Sequence, residues 1–208
     1  MDTVKTSKTM GRPREFDTDE ALEAAMLVFW RKGYEGTSLS DLTEAIGVNR
    51  PSLYAAFGNK EELFRQVCDR YAAGPAAFLA KALEEPTARA VAESILYGTV
   101  AVVANPETPS GCLSVQGALA GADGCGAVRD QLKARRMEFE VRLRERFDRA
   151  KSDGDLSADA DPADLARYVM TIFQGMAVQA AGGATQDDLR RVAETALRSW
   201  PAGGEQRV

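Results

Sequence analysis

Histidine is absent from the 208 residues of this chain. Without an imidazole, histidine-based zinc and copper(II) sites and histidine acid–base catalysis are excluded. The chain also shows no convergent nucleophile–base pair, so we expect no enzyme, no cofactor and no metal site. The three cysteines are too few for a disulfide framework, although a soft two-thiol copper(I) site stays open.

Long apolar runs are missing as well. No segment approaches the roughly 20 apolar residues that cross a bilayer. The N-terminus is polar and lacks the apolar stretch of a secretory signal. The net charge of -5 does not by itself indicate nucleic acid. We therefore expect a cytoplasmic protein without a membrane partner.

Apolar residues instead recur at helical spacing along nearly the whole chain, and no alternating strand pattern stands out. We predict an all-α protein of about nine helices. One of them is a single long helix that starts at Lys60 and either continues past Gly74-Pro75 or kinks there.

Residues 37–60 contain two short helix patterns separated by a turn at Gly47. Ser38 can cap the first helix, and Gly47 suits the left-handed residue that ends it. Asn49 can cap the second helix, with Pro51 in the first turn, where a missing N–H costs nothing. The pattern predicts a helix-turn-helix.

The second helix of this motif has a polar outward side. Leu53 and Phe57 point inward at i, i+4, which leaves Arg50 and Tyr54 outside. Residues 47–60 hold two basic residues and no acid, although the chain as a whole is acidic. This local basic patch indicates contact with phosphates.

Three segments of the motif match a known pattern: FWRKGY at 29–34, GTS at 36–38 and LYAAFGNKEEL at 53–63. With them, residues 16–64 resemble the N-terminal domain of the TetR/AcrR family of bacterial transcriptional regulators. The chain departs from the family at Ala55 and Ala56, where the family often has His, Tyr or Arg, so the operator sequence is not predicted. The remainder resembles the family in layout only.

The resemblance implies a ligand-responsive regulator, a repressor that a small-molecule effector releases from a palindromic double-stranded operator. It implies a three-helix DNA-binding domain followed by a larger helical domain for ligand binding and dimerisation. The predicted divisions are a flexible basic arm at 1–15, the helix-turn-helix domain at 16–60, the second domain at 61–200 and a flexible tail at 201–208.

Several residues are expected at the DNA: Arg12, Arg14, Thr37, Arg50, Pro51, Ser52, Tyr54 and Lys60. Arg50 suits a guanine or a phosphate, and a solvated surface arginine is the alternative. By resemblance, Tyr54 and Lys60 hold phosphates. Thr37 either donates to a phosphate or only caps a helix. The arm with Arg12 and Arg14 either follows the DNA or merely solubilises the terminus.

The effector cavity is predicted from inward aromatic, apolar and sulfur residues of the second domain, each of which also suits ordinary core: Phe78, Tyr97, Leu113, Met137, Phe139, Phe173 and Met176. Abundant apolar residues favour a hydrophobic effector. Cys112, in a Gly-Cys-Leu segment with Cys125 nearby, is either a redox- or electrophile-sensing thiol at a helix start or a small buried residue.

A nearly uncharged helix, opened by Asp161 and Pro162, is predicted from residue 162 to about residue 181. Its apolar arc is wider than one core needs, and small residues that permit close helix approach accompany it: Ala166, Gly175, Ala177 and Ala180. We expect a homodimer formed by this helix and the last one, with burial inside a monomer as the alternative.

Overall fold

The computed structural model describes residues 17–119 and 126–201. Within these ranges every regular element is an α-helix, which confirms the predicted fold class. The helices are α1 (Thr18–Gly36), α2 (Leu39–Ile46), α3 (Arg50–Phe57), α4 (Lys60–Ala73), α5 (Ala77–Ala82), α6 (Ala88–Val103), α7 (Leu113–Leu119), α8 (Gly126–Ser152), α9 (Pro162–Ala181) and α10 (Gln186–Arg198).

The first four helices form the head that carries the helix-turn-helix. Phe29 of α1 and Phe64 of α4 pack edge to face, with ring centroids 5.0 Å apart. Tyr34 adds a third ring, 5.0 Å from Phe64. Packing these rings together fixes α1 against α4, and this pair of helices supports α2 and α3.

Helix α4 is shorter than the sequence predicted, because the chain turns at Gly74 and Pro75. Gly74 leaves the helical region with φ -106 and ψ -101. A proline disfavours helical geometry in the residue before it and lacks an N–H donor. A separate helix, α5, follows from Ala77. The described residues therefore contain ten helices, close to the predicted number of about nine.

Helix α9 lies at the centre of the second domain, with α6, α8 and α10 packed against it. Val169 and Met170 are among its buried residues. It begins as predicted: Asp161 accepts hydrogen bonds from the N–H groups of Ala163 and Asp164, and Pro162 occupies the first turn.

The head and the second domain meet at the start of α7. Trp30 of α1 donates its indole N–H to the buried carbonyl of Gly111 at 3.0 Å. The ring of Tyr71 on α4 packs edge to face against Trp30, with centroids 4.9 Å apart. The segment just before α7 is therefore held directly by the helices of the head.

Candidate nucleic-acid interface and effector cavity

The two short helices of the head are set by local capping. Ser38 Oγ accepts the Asp41 N–H at 3.1 Å, and the Asp41 carboxylate accepts the Ser38 N–H at 2.8 Å. Gly47 ends α2 in the left-handed conformation, with φ 76. Asn49 Oδ1 then accepts the Ser52 N–H at 2.9 Å. The predicted helix-turn-helix is thus present, and each turn is explained by its own residues.

Helix α3 buries one side and exposes the other. Leu53 and Phe57 are buried. Arg50, Pro51 and Tyr54 are exposed, Tyr54 at 45% of its surface. The outward side is therefore available to an incoming duplex, as the sequence predicted.

Arg50 lies at the N-terminal end of that outward side. Its Nη2 donates to Ser40 Oγ of α2 at 3.1 Å. This bond orients the guanidinium without neutralising it, since a hydroxyl carries no charge. Ser52, beside it on α3, is half-buried, and only its hydroxyl remains for a base or phosphate.

Lys60 is the first residue of α4, directly after the end of α3. Its Nζ lies 4.4 Å from the centroid of the Tyr34 ring, in a cation–π contact. The ring holds the ammonium near the C-terminal end of α3, the helix with the exposed outward side.

Thr37 fits helix capping, one of the two roles that the sequence predicted for it. Its hydroxyl donates to the Gly33 carbonyl at 2.6 Å, and its N–H to the Tyr34 carbonyl at 3.4 Å. The residue is buried. Both donors are used inside the protein, so the structure supports the helix-capping alternative instead of a phosphate contact.

Asp41 is an acidic residue on α2, yet its charge is compensated. The Lys32 ammonium donates to the carboxylate at 2.7 Å. This bond, followed by the Ser38 backbone and hydroxyl bonds, lowers the pKa of Asp41 from 3.8 to about 2. Asp41 therefore stays ionised at neutral pH, paired with Lys32 and capping α2.

Arg12, Arg14 and Cys125 lie outside the described residues.

A cavity of about 200 Å³ lies between α4, α5, the start of α7, α8 and α9. Most of its wall is apolar or sulfur-bearing, including Cys68, Tyr71, Leu79, Cys112, Phe139, Met170 and Phe173. Three arginines of α8 also line it, Arg135, Arg136 and Arg142. A mostly apolar cleft with a few convergent polar groups is the usual form of a small-molecule site.

Among the residues predicted for the cavity, Phe139 and Phe173 line it. Leu113 and Met176 are buried in the core without lining it, and the ring of Phe78 lies over Gly98 of α6. Tyr97 and Met137 face solvent, exposed by 37% and 56%. The structure does not support these five as lining, because helical spacing alone does not separate cavity, core and solvent faces.

The sequence prediction missed Tyr71, Arg135 and Arg136 as lining residues. For Arg136 a signal was present: it falls at helical spacing between Leu132 and Phe139, on the buried side of α8. A charged residue on an apolar stripe is unexpected unless something pairs with it.

Cys112 is buried and lines the cavity just before α7. The Tyr71 hydroxyl donates to its sulfur at 3.5 Å. Cys68 lines the same cavity, and burial raises the pKa of the Cys68 thiol to about 12. Both positions suit packed core, yet Cys112 also touches space that a small molecule can enter.

An apolar surface remains exposed on α9 and α10, which we call the α9–α10 face. It carries Tyr168, Val178 and Val192, exposed by 39%, 44% and 43%, with half-buried Ile172 beside them. Grooves lined by both helices run across it near Ile172 and Val192. A surface of this kind indicates a protein partner.

The small residues of α9 divide between two environments. Ala166, Ala177 and Ala180 are buried within their own chain, so they serve packing inside the protomer. Gly175 is exposed on the α9–α10 face. The predicted close approach of a second copy therefore rests on Gly175 and the exposed apolar side chains.

Two general features hold for residues 17–119 and 126–201. None of their helices has both the length and the apolar character to cross a membrane. Nowhere in these ranges do three or more His, Cys, Asp or Glu residues form a group that could hold a metal ion.

Family comparison matches both parts of the chain. Residues 21–67 match the family described as bacterial regulatory proteins, tetR family. Residues 91–197 match the tetracyclin repressor-like C-terminal domain. The first match contains the helix-turn-helix, and the second contains α9 and most of α6 and α10.

Individual proteins agree with these matches. The HTH-type transcriptional repressor ComR of Escherichia coli (strain K12) is 39% identical over 205 residues, 96% of either chain. The uncharacterized regulator YezE of Bacillus subtilis (strain 168) is 33% identical over 77% of this chain and 84% of its own.

Among solved structures, a cysteine mutant of the TetR family regulator CifR, complexed with 26-bp double-strand operator DNA, is 46% identical. It superposes with a TM-score of 0.86 over 91% of this chain and 100% of that one. Such proteins are regulators and not enzymes. The chain therefore belongs to the TetR family of bacterial regulatory proteins and is a DNA-binding transcriptional regulator.

Proposed function

We propose that this chain is a ligand-responsive repressor. Two copies of α3 in a homodimer bind a palindromic operator, and a small-molecule effector in the cavity beside α7 releases it. The observation that carries the proposal is the exposed N-terminal end of α3, where Arg50, Pro51 and Tyr54 project from a buried base. A helix presented in this way can enter a major groove.

The proposed roles follow from position on the head. Arg50 reads a guanine or binds a phosphate, and Ser52 reaches a base edge from the same helix end. Tyr54 and Lys60 hold phosphates on either side of α3, which fixes the register of the duplex. The arm residues Arg12 and Arg14 follow the backbone or enter the minor groove.

Relatives support repression and operator binding. ComR is named a transcriptional repressor, and CifR is solved with operator DNA. Proteins of this family are dimeric, and the α9–α10 face offers an apolar surface for a second copy. A regulator of bacterial DNA acts in the cytoplasm, which is where we place this chain.

Effector release has a structural route in the contacts before α7. Tyr71 both lines the cavity and packs on Trp30 of the head, and Trp30 is bonded to Gly111, next to the cavity residue Cys112. A molecule that displaces Tyr71 or Cys112 therefore acts on α1 through direct contacts. Such a molecule can change operator affinity only by the difference between its own affinities for the operator-binding state and the released state of the protein.

Substitution of Arg50 tests the DNA-binding part of this proposal. Operator fragments are first selected from random duplex DNA with the purified protein. We expect Arg50→Ala to weaken binding by about 1–3 kcal/mol if Arg50 reads a guanine, and to relax specificity at that base. Fluorescence anisotropy measures the affinity, and Arg129→Ala, an exposed arginine on α8, is the matched control.

Equal affinities of Arg50→Ala and Arg129→Ala would remove Arg50 from the interface. A uniform loss across sequences with a shallower salt dependence would instead assign it to a phosphate.

A second candidate is that oxidation or an electrophile at Cys112 replaces ligand binding. The observation in its favour is that Cys112 lines the cavity and its sulfur accepts a hydrogen bond from the Tyr71 hydroxyl at 3.5 Å. Because Tyr71 touches Trp30, a group added to this sulfur would disturb the same contacts as an effector.

A further inference from the structure

The wall of the cavity is chemically divided. One part is apolar, with Leu79, Phe139, Met170 and Phe173. The other part is basic, because Arg135, Arg136 and Arg142 all come from α8. Among the described residues that line the cavity, Glu138 is the one acid, and it is exposed to solvent. A ligand that matches this wall has an apolar body and a polar or anionic end.

The arginines differ in their partners. Arg135 is paired with Asp69 of α4 at 2.5 Å, so its charge is already compensated. Arg136 is half-buried and donates from Nη1 to the Ser114 carbonyl at 3.0 Å. In the part of the chain that the structure describes, no carboxylate forms an ion pair with Arg136.

The surroundings of Arg136 make this charge costly. It interrupts the buried stripe between Leu132 and Phe139, and burial lowers the pKa of its guanidinium below the usual value. A partly desolvated charge is unfavourable until an opposite charge meets it. A guanidinium is also suited to hold a carboxylate through two parallel hydrogen bonds.

We propose that this cavity binds a small amphipathic organic anion, with its apolar body against Phe139, Met170 and Phe173 and its carboxylate on Arg136. The inference names the effector class for the proposed function and rests on that function for its effect on DNA. The cavity of about 200 Å³ is somewhat larger than the roughly 150 Å³ that holds benzene. A benzoate-sized molecule therefore fits.

The test uses three probes of nearly the same shape: benzoate, neutral benzamide and cationic benzamidine. Titration calorimetry on the purified full-length protein measures each affinity without DNA. We expect benzoate to bind at least about tenfold more tightly than benzamide, and benzamidine to bind more weakly still. This comparison needs no variant, so it does not depend on whether a substituted protein folds.

Variants locate the anion. Arg136→Gln is expected to remove the advantage of benzoate over benzamide, whereas Arg136→Lys, which keeps a positive charge, retains part of it. Arg129→Gln, on the same helix but outside the cavity, keeps wild-type affinities. Benzoate that does not bind, or that binds no better than benzamide, overturns the proposal, as does an unchanged preference in Arg136→Gln.

Operator titrations with the same probes separate this inference from the proposed function. If benzoate binds through Arg136 and leaves operator affinity unchanged, the anion site is confirmed, and the proposal that a ligand in this cavity releases the operator is rejected. If benzamide releases the operator as well as benzoate does, release stands and the anion site is rejected.

Discussion

Two buried thiols, Cys68 and Cys112, line the same cavity but differ in their chemistry. Burial raises the pKa of Cys68 to about 12, so this residue remains a protonated, unreactive thiol up to strongly alkaline pH. Cys112 is bonded to the Tyr71 hydroxyl and lies next to Gly111, which Trp30 holds. Cys68 lies within α4 of the head, whereas Cys112 lies outside the head and contacts it through Tyr71.

If Cys112 is a sensor, hydrogen peroxide weakens operator binding of the wild type, and Cys112→Ser keeps its affinity after the same treatment. The reason is that oxidation to a sulfenic acid adds an oxygen beside Tyr71 in a buried space. Fluorescence anisotropy before and after treatment measures the change. Cys68→Ser is the matched control and is expected to lose affinity like the wild type, while equal losses in Cys112→Ser and wild type would exclude Cys112.

Single residues also show how far sequence reasoning extends. The exposure of Arg50, Pro51 and Tyr54 was predictable, because their neighbours Leu53 and Phe57 fix the inward side of α3. The burial of Thr37 was not, since it depends on a bond to Gly33, where the chain has a positive φ of 69. Local capping is encoded in short patterns, whereas non-helical breaks of this kind are not.

At the scale of elements, α1 is joined to the segment before α7 by one buried hydrogen bond, from Trp30 to Gly111. We expect Trp30→Phe to destabilise the protein by about 1–3 kcal/mol through the unpaired Gly111 carbonyl, in addition to the lost ring volume. Denaturant unfolding measures the free energy, and hydrogen exchange is expected to show faster opening of α7.

The matched control is Trp200→Phe. Trp200 is also buried and packs its ring against Phe147, with centroids 5.5 Å apart, but its indole N–H donates to no acceptor within residues 17–119 and 126–201. Removing this ring costs packing alone. Equal losses of stability in the two variants would show that the Trp30 bond contributes nothing of its own.

The helices themselves were largely predictable, for a physical reason. Caps such as Asn49 and Asp161 appear in the sequence beside the apolar residues that begin each helix, and the structure confirms both. The division of α4 and α5 at Gly74 was not predicted, since the sequence indicated one helix that continues or kinks at Gly74-Pro75, and a proline can also end a helix. The cavity was less predictable still, since it is formed where five helices meet.

At the scale of the whole molecule, the proposed dimer interface on α9 and α10 sets the distance between the two copies of α3. One short reading helix supplies few base contacts, so two copies held at a fixed spacing are needed for a specific operator. The sequence predicted an interface on α9 and α10 but not which side chains are exposed on these helices. Three of the alanines assigned to the interface pack inside the protomer, and the exposed residues are Tyr168, Val178 and Val192.

Val192→Asp tests this surface. A carboxylate buried without a partner at a dimer interface costs roughly 3–5 kcal/mol, and symmetry introduces it twice. We therefore expect a folded monomer by analytical ultracentrifugation and a loss of cooperative operator binding. Val141→Asp, equally apolar and 53% exposed on α8, is the control and should remain dimeric. A dimeric Val192→Asp with full operator affinity would move the interface away from α9 and α10, because an unpaired charge could not lie inside it at so small a cost.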